Sequence, residues 1–341
     1  MRFLSPLLIL TFGILAGINS CKKQQANRAF YYWRTTFKLS ETEKEAFTNL
    51  KIKTIYLRYF DVIKGNGGTP IPDAVILFKD SIPKGVSIIP VVYIKNEVLK
   101  NMDASQIDSF VKNVYHLIQQ ISASQKIKMH EIQMDCDWTL ASKTIYFKLL
   151  RELKALSKIE TLSATIRLHQ VKYKDKTGVP PVDRGMLMFY NMGSINLSPK
   201  ENSILDASVA RQYTQAISSY PLTLDGALPI FHWAIHGNEY GVIKGIVENI
   251  SKEDLLDSSK FKLDKDAHYF VRNSFLLHGN YLNKNDQLKF ESVDFPLCED
   301  AAAILHKELQ KPFGTLALFA SDSSYIKKYS EHELEEIYSK F

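Results

Sequence analysis

Cysteine is scarce: there are three in 341 residues. That is too few to staple a chain of this size as a disulfide framework. Concentrated charge is missing too. Lysine and arginine number 43 against 37 acidic residues, a net charge of only +6. The tight basic pairs outside short mixed runs such as 172–176 are Lys22-Lys23 and Lys327-Lys328. A nucleic-acid-binding protein gathers its basic residues on one face, so no nucleic-acid partner is expected. The sequence carries no Gly-rich phosphate loop, no zinc-ligand spacing and no Gly-x-Ser-x-Gly elbow. Neither cofactor nor metal is therefore expected. With 45% hydrophobic and 23% charged residues the composition is that of a globular protein. It excludes collagen, low-complexity disorder and a multi-span membrane protein.

The one long apolar run stands at the N-terminus. Arg2 precedes an apolar stretch over 3–18, followed by Asn19-Ser20-Cys21. A basic start and a short apolar core read as a secretory signal, too short for a membrane span of about 20 residues. Cys21, with Ile18 three before it and Ser20 one before it, resembles a bacterial lipoprotein signal. The resemblance implies cleavage before Cys21 and lipidation of its sulfur. Residues 1–20 are then an address and 21–28 a tether. The protein would be lipid-anchored in the bacterial cell envelope, on the outer membrane or periplasmic face. Two cysteines remain, Cys136 and Cys298. Cys136 sits in an apolar strand and reads as a buried free thiol.

From residue 29 the chain alternates β-rich apolar runs with helical patterns. The expected strands are 29–33, 54–59, 87–93, 131–137, 162–168, 186–190, 228–233 and 315–320. Ser40-Glu41-Thr42-Glu43 is a capping box for a helix reaching residue 50. Apolar spacing of three and four predicts helices over 103–121 and 141–156. Further helices are expected over 205–217, 240–250, 298–309 and 330–338. Residues 170–184, with Gly178, Pro180 and Pro181, read as a loop. Eight strands separated by helices fit a closed (β/α)8 barrel over 29–341, with a doubly wound open sheet as the alternative. Between strands seven and eight, 268–273, 275–282 and 287–293 look like strands. They predict a small β insertion at about 254–296 rather than a second domain.

Chemistry gathers at strand four, Ile132-Gln133-Met134-Asp135-Cys136-Asp137-Trp138-Thr139. Strand alternation puts Ile132, Met134, Cys136 and Trp138 on one face and Gln133, Asp135, Asp137 and Thr139 on the other. The apolar face suits the helices, and the polar face the barrel axis, rising to the C-terminal mouth where barrel enzymes act. Two carboxylates at i and i+2 are about 7 Å apart and repel in a low dielectric. One of them should hold its proton unusually tightly, as acid–base catalysis requires. Strand five directs Ser163, Thr165, Arg167 and His169 the same way. Arg167 is the natural partner of Asp135 or Asp137. The same residues also read as an ion-pair network that only fills the barrel, or, with His169, as a metal site.

Asp135-x-Asp137-Trp138-Thr139 resembles the end of the D-x-x-D-x-D-x-E signature of family 18 glycoside hydrolases. Met188-Phe189-Tyr190-Asn191 resembles that family's M-x-Y-D on strand six. The whole layout, including Gly178-Val179-Pro180-Pro181, is similar to a group of bacterial barrel lipoproteins related to glycosidases. The resemblance implies a glycan ligand, with Asp137 orienting an acetamido group and Tyr190 supporting it. The chain departs from the pattern at three places. Thr139 stands where the family has its proton-donating Glu, Asn191 where it has Asp, and Gln133 or Ile132 replaces the first Asp. A threonine hydroxyl cannot do the work of a carboxylic acid at neutral pH.

Another carboxylate must then complete a pair if the protein is a glycosidase. Glu97 past strand three, Asp322 past strand eight and Asp61 past strand two are the candidates, each also readable as a loop charge or helix cap. Tyr31, Tyr32, Trp33, Tyr59, Tyr93, Tyr190 and Trp233 lie near strand ends, where aromatic rings suit sugars. The expected catalytic residues are Asp135, Asp137 and Glu97. Arg167, His169, Tyr190, Asn191, Trp233, Tyr32 and Asp322 are the expected substrate contacts. The alternative is a glycan-binding or scaffold lipoprotein without catalysis.

Overall fold

The computed structural model describes residues 25–264 and 267–341. The expected signal segment and the lipidation site Cys21 lie outside the described residues.

Eight parallel strands form the centre of the molecule. They are β1 (Asn27–Tyr32), β2 (Thr54–Lys64), β3 (Ser87–Ile94), β4 (Glu131–Asp135), β5 (Thr161–Arg167), β6 (Arg184–Met188), β7 (Leu224–Pro229) and β8 (Thr315–Phe319). Each pairs with its neighbours in sequence order, and β1 pairs with both β8 and β2. Asn27 lies opposite Thr315 and Ala29 opposite Thr54, so the sheet closes on itself. Closure removes the open-sheet alternative. A short antiparallel strand, Pro70–Asp73, extends the far end of β2.

The helices cover the outside for reasons visible in the sequence. Ser40 Oγ accepts from Glu43 N, and Glu43 Oε2 accepts from Ser40 N at 2.7 Å, opening α1 (Glu41–Asn49). This is the expected capping box. α2 (Ile107–Ser124) buries Ile107, Phe110, Val111, Val114, Ile118 and Ile121, one stripe at helical spacing. α3 (Lys143–Ser157) buries Tyr146, Leu149, Leu150 and Leu153. α4 (Ala207–Thr214), α5 (Phe295–Glu308) and α6 (Glu331–Ser339) complete the ring. Each buried Leu, Ile or Phe contributes about 1.5–3 kcal/mol before chain entropy is set against it.

The barrel interior is polar and layered. At its base Asn27 Nδ2 donates to Thr54 Oγ1 at 2.8 Å, and Thr315 N donates to Asp225 Oδ1 at 2.8 Å. Gly314 permits the second contact, since a Cβ there would lie 2.1 Å from Asp225 Oδ1. Ser163 Oγ donates to Glu131 Oε1 at 2.5 Å. One layer up, Tyr31 OH reaches across the barrel to Gln133 Oε1 at 2.6 Å. Thr165 Oγ1 donates to Asp135 Oδ1 at 2.6 Å in the next layer. Arg167 and Asp137 top the stack. The outward residues Ile132, Met134 and Cys136 are buried under the helices, and Cys136 is a free thiol.

Several boundaries differ from the sequence expectation. The run 228–233 is two elements: β7 ends at Pro229, and a new strand, His232–Gly237, begins the insertion. A largely apolar stretch from Ala227 to Ile235 runs across that break, which falls at Pro229. Residues 240–250 form no helix. Asn238 N bonds Val242 O at 2.9 Å around Gly241, whose φ is 77°, and Ile243–Val247 pairs antiparallel with His232–Gly237. Gly241 supplies the turn that a helix would have excluded. The expected loop 170–184 carries two short helices, Leu168–Lys172 and Lys174–Thr177. β4 ends at Asp135, two residues early.

The insertion therefore starts at 232, not at about 254. Its five antiparallel strands run in the order Ile243–Val247, His232–Gly237, Gln287–Ser292, His268–Val271, Phe261–Leu263. The expected strand 275–282 is a hairpin, Phe275–Leu277 against Asn280–Leu282. The insertion packs its own cluster, including Val247, Leu255, Phe261, Val271, Leu282 and Leu288. It is fastened to the segment after β6 by a buried pair. Lys289 Nζ donates to Glu291 Oε1 at 2.6 Å and Glu201 O at 2.7 Å. Trp233 Nε1 at 2.9 Å and Ser203 Oγ both donate to Glu291 Oε2. Among the described residues no helix is long and apolar enough to cross a membrane.

Candidate active site

A cleft of about 830 Å³ opens at the C-terminal mouth of the barrel. Its floor comes from strand ends: Asp135 of β4 with Asp137 just past it, Arg167 of β5, Met188 of β6 with Tyr190 just past it, and Phe319 of β8. Trp33 just past β1, Arg58 of β2 and Tyr93 of β3 form one wall. The insertion supplies the roof with Trp233, Glu248, Asn249, Ile250 and Asp254. The mouth is where a barrel's strand-end residues converge and where its loops can close over them.

The two aspartates have different surroundings. Asp135 is buried, with one oxygen on the Thr165 hydroxyl. Burial pushes its carboxyl up to about 6; Arg167 opposes that rise and Asp137 adds to it. Asp137 is half exposed and is gripped by a guanidinium fork. Arg167 Nε donates to Oδ1 at 2.5 Å and Nη2 to Oδ2 at 3.3 Å. The guanidinium also lies 5.8 Å from the centre of the Tyr190 ring. Burial raises the Tyr190 phenol well above its ordinary range. Burial, with Asp135 and Asp137 nearby, raises Tyr93 to about 12. Both phenols stay neutral donors at physiological pH. One carboxyl that holds its proton to unusually high pH beside one held on a cation is a pattern seen where acid and base roles separate.

The aromatic lining is continuous. Phe319 sits 5.4 Å from Tyr31, 5.5 Å from Trp33, 5.3 Å from Tyr190 and 5.8 Å from Phe231, ring centre to ring centre. Such rings present flat apolar faces bordered by polar atoms, the surface a sugar ring stacks on. Four residues of the lining also carry buried polar atoms without a hydrogen-bond partner among the described residues: Arg34 Nε, Arg167 Nη1, His232 Nδ1 and Ser321 Oγ. Buried polar atoms are almost always paired in native proteins. Their concentration around one cleft fits a site that expects a hydrogen-bonding ligand.

The structure brings Asp135, Asp137, Arg167, Tyr190, Asn191, Trp233 and Asp322 to this cleft. Asp322 is also a helix cap, its Oδ1 accepting from Ser324 N at 2.8 Å, and its Oδ2 lies 3.4 Å from Arg34 Nη1. His169 lies elsewhere, on a smaller cavity of about 320 Å³ that shares Asp137 and Arg167. Burial lowers its pKa. Two more expected residues, besides His169, do not join the lining. Glu97 is exposed on the first turn of the helix Asn96–Lys100. Tyr32 points outward because β1 alternates; its OH donates to Thr36 O at 2.7 Å and accepts from Lys38 N at 2.9 Å. Its neighbour Trp33 takes the inward place. Asp61 is held by Arg58, whose Nε donates to Oδ1 at 2.7 Å.

Thr139 is exposed and outside the cleft. Its N donates to Ser142 Oγ at 3.0 Å and its carbonyl accepts from Lys143 N at 2.9 Å, so it forms the turn that opens α3. Among the described residues no three His, Cys, Asp or Glu side chains converge as a metal site. Sequence reasoning missed Phe319, Phe231 and Glu248. Alternation from Thr315 through Ala317 would have turned Phe319 inward. Glu248 had no signal, because its segment read as a helix.

No family model and no curated protein matches the chain. Among solved structures it is similar to the spore cortex-lytic enzyme SleL of Bacillus cereus. The TM-score is 0.54 at 16% identity, covering 94% of this chain and 75% of that one. A chitinase-like agglutinin of Robinia pseudoacacia aligns with TM-score 0.49 and 12% identity, over 91% of this chain and 99% of that one. A chitinase of Chromobacterium violaceum aligns with TM-score 0.49 and 8% identity, over 89% and 97%. The first of these shows that the chain has the closed eight-stranded barrel fold of that enzyme.

Proposed function

We propose that the cleft binds a glycan across Asp135, Asp137 and Arg167 and hydrolyses a glycosidic bond there. One observation carries this reading: a buried carboxyl raised to about 6 and an exposed carboxylate share the floor of an aromatic-lined cleft. The rings of Trp33, Tyr190 and Phe319 suit the apolar faces of sugars, and the unpaired polar atoms suit their hydroxyls. Asp137, fixed by the Arg167 fork, is placed to accept from a ligand N–H or O–H. Likeness in fold to a cortex-lytic enzyme supports the same direction.

A second reading, glycan binding without turnover, is favoured by Thr139, which stands outside the cleft at the position of the resembled family's acid. Incubating the purified protein with chitin oligosaccharides and peptidoglycan fragments separates the two. Release of new reducing ends supports hydrolysis; saturable binding without release supports the second reading; neither would end both. We further propose the bacterial cell envelope as the location, through a lipid on Cys21. Metabolic palmitate labelling that survives Cys21→Ala would contradict that.

A further inference from the structure

Lysines are scattered along the sequence, but the barrel gathers one set of them. In a parallel barrel every loop that enters a strand lies at the base, opposite the cleft. Those loops carry Lys51 and Lys53 before β2, Lys84 before β3, Lys126 and Lys128 before β4, Lys158 before β5 and Lys311 before β8. Backbone bonds tie the loops to the rim. Lys53 N donates to Arg28 O at 3.0 Å, and the Lys53 carbonyl accepts from Ser87 N at 2.8 Å. Thr161 N donates to His130 O at 3.0 Å, and Asn27 N to Gly314 O at 2.8 Å.

All seven lysines are exposed, and among the described residues none of them stands in an ion pair. The carboxylates of the same loops are engaged. Asp80 accepts from Leu39 N at 2.8 Å, Glu160 lies 3.4 Å from His130 Nδ1, and Asp183 accepts from Lys154 Nζ at 2.5 Å. Lys51, Lys126 and Lys158 take φ of 54°, 55° and 51°, the left-handed region where a helix end favours glycine or asparagine. Charge, not backbone geometry, is what lysine brings there. The cleft at the other end has the opposite balance, with five carboxyl residues against three arginines.

The chain also enters the barrel at this basic end. Ala26 N donates to Phe341 O at 3.3 Å beside the start of β1. Cys21 stands five residues before Ala26, a reach of at most about 18 Å. Lys22 and Lys23 fall within that span. An anchor on Cys21 therefore holds the base, and not the cleft, next to the bilayer.

We propose that the base of the barrel docks on a bilayer containing anionic phospholipid, with the cleft opening away from the anchoring membrane. This goes beyond the glycan reading and rests on the location proposed through Cys21. Ammonium groups close to an anionic surface are attracted to it, and each adds to the hold. The glycan within reach of the cleft is then one that lies out from the membrane, not a saccharide carried on its lipids.

The test places the full chain on vesicles of phosphatidylcholine, with and without phosphatidylglycerol, and labels lysines with a water-soluble acylating reagent read by mass spectrometry. Phosphatidylglycerol should slow labelling of Lys51, Lys53, Lys84, Lys126, Lys128 and Lys158, and about 0.5 M salt should abolish that protection. Lys262 and Lys284, exposed on the insertion, should label equally on both vesicles. The preference for anionic over neutral vesicles in sedimentation should fall about fivefold for each lysine removed in Lys51→Ala, Lys53→Ala and Lys128→Ala. The melting temperature should stay unchanged, since all three side chains are exposed. Equal labelling of the base on both vesicles, or protection of Lys262 and Lys284 in its place, would overturn the docking face and leave the lipid anchor standing. A duplex oligonucleotide that protects the same lysines at lower concentration than the lipid would overturn the choice of partner. Failure of the palmitate test at Cys21 would remove the anchor but not a measured preference of the base for anionic vesicles.

Discussion

Arg167 holds Asp137 through Nε at 2.5 Å and Nη2 at 3.3 Å, while its Nη1 is buried without a partner. The fork therefore has one donor to spare at the floor of the cleft. It also lowers the carboxyl of Asp135 against the effect of burial. Arg167→Lys keeps the charge but loses the planar fork. We expect it to weaken glycan binding about tenfold or more by calorimetry. Arg167→Met removes the charge, so the Asp135 carboxyl should titrate above about 6 by carbon NMR; a downward move would contradict the assignment.

Stability should fall as pH rises through the neutral range. Glu131 is raised to about 7, and Asp135 and Asp225 to about 6, each chiefly by burial. A carboxyl raised in the folded state binds more protons there than in the unfolded chain. Its stabilisation is present near pH 4 and is lost as pH climbs through the folded value. Carboxyls lowered in the fold, such as Asp257 at about 2 and Glu335, act in the opposite sense only below about pH 4.5. His232, which burial lowers to about 4, and His169, also lowered, act in the opposite sense up to about pH 6.5 but are outweighed by the three carboxyls, so melting temperature should decline between pH 5 and pH 7. Glu131→Gln keeps the bond to Ser163 and should flatten that decline. A melting temperature that rises over this interval would contradict the burial account.

The insertion depends on the Lys289–Glu291 pair. Both side chains are buried, and Glu291 also accepts from Trp233 and Ser203. Lys289→Met strands the Glu291 carboxylate in the interior, at a cost of about 3–5 kcal/mol. Urea unfolding should show a loss of that size. The double change Lys289→Met with Glu291→Gln should recover part of it.

Thr139 belongs to the turn before α3, so its side chain should not matter to the chemistry. Thr139→Ala should leave turnover and binding unchanged. Thr139→Glu, which restores the residue of the resembled motif, should give no increase in rate. A large gain would show that this turn reaches the cleft when a glycan is bound.

Much of the floor was legible in the sequence because strands alternate. Asp135, Asp137 and Arg167 face inward as their spacing requires, and Cys136 faces the helices. The same rule assigns Trp33 to the cleft and Tyr32 to the outside, a distinction that their adjacency blurred. The roof was not legible. From Ala227 to Ile235 the chain is largely apolar, and Pro229 is the one local mark of where β7 stops and the insertion begins. Gly241 and the β-branched residues after it decided for a strand where apolar spacing suggested a helix, and Glu248 moved with that segment. Glu97 stands just after β3, but the short helix there turns it to solvent.

The most direct measurement of the central claim is the release of reducing ends from the glycan panel near pH 6 by wild type, Asp135→Asn and Asp137→Asn. The account predicts turnover by the wild type and a loss of at least about 100-fold in each variant, with melting temperatures that show both still folded. Equal rates in all three proteins would contradict it.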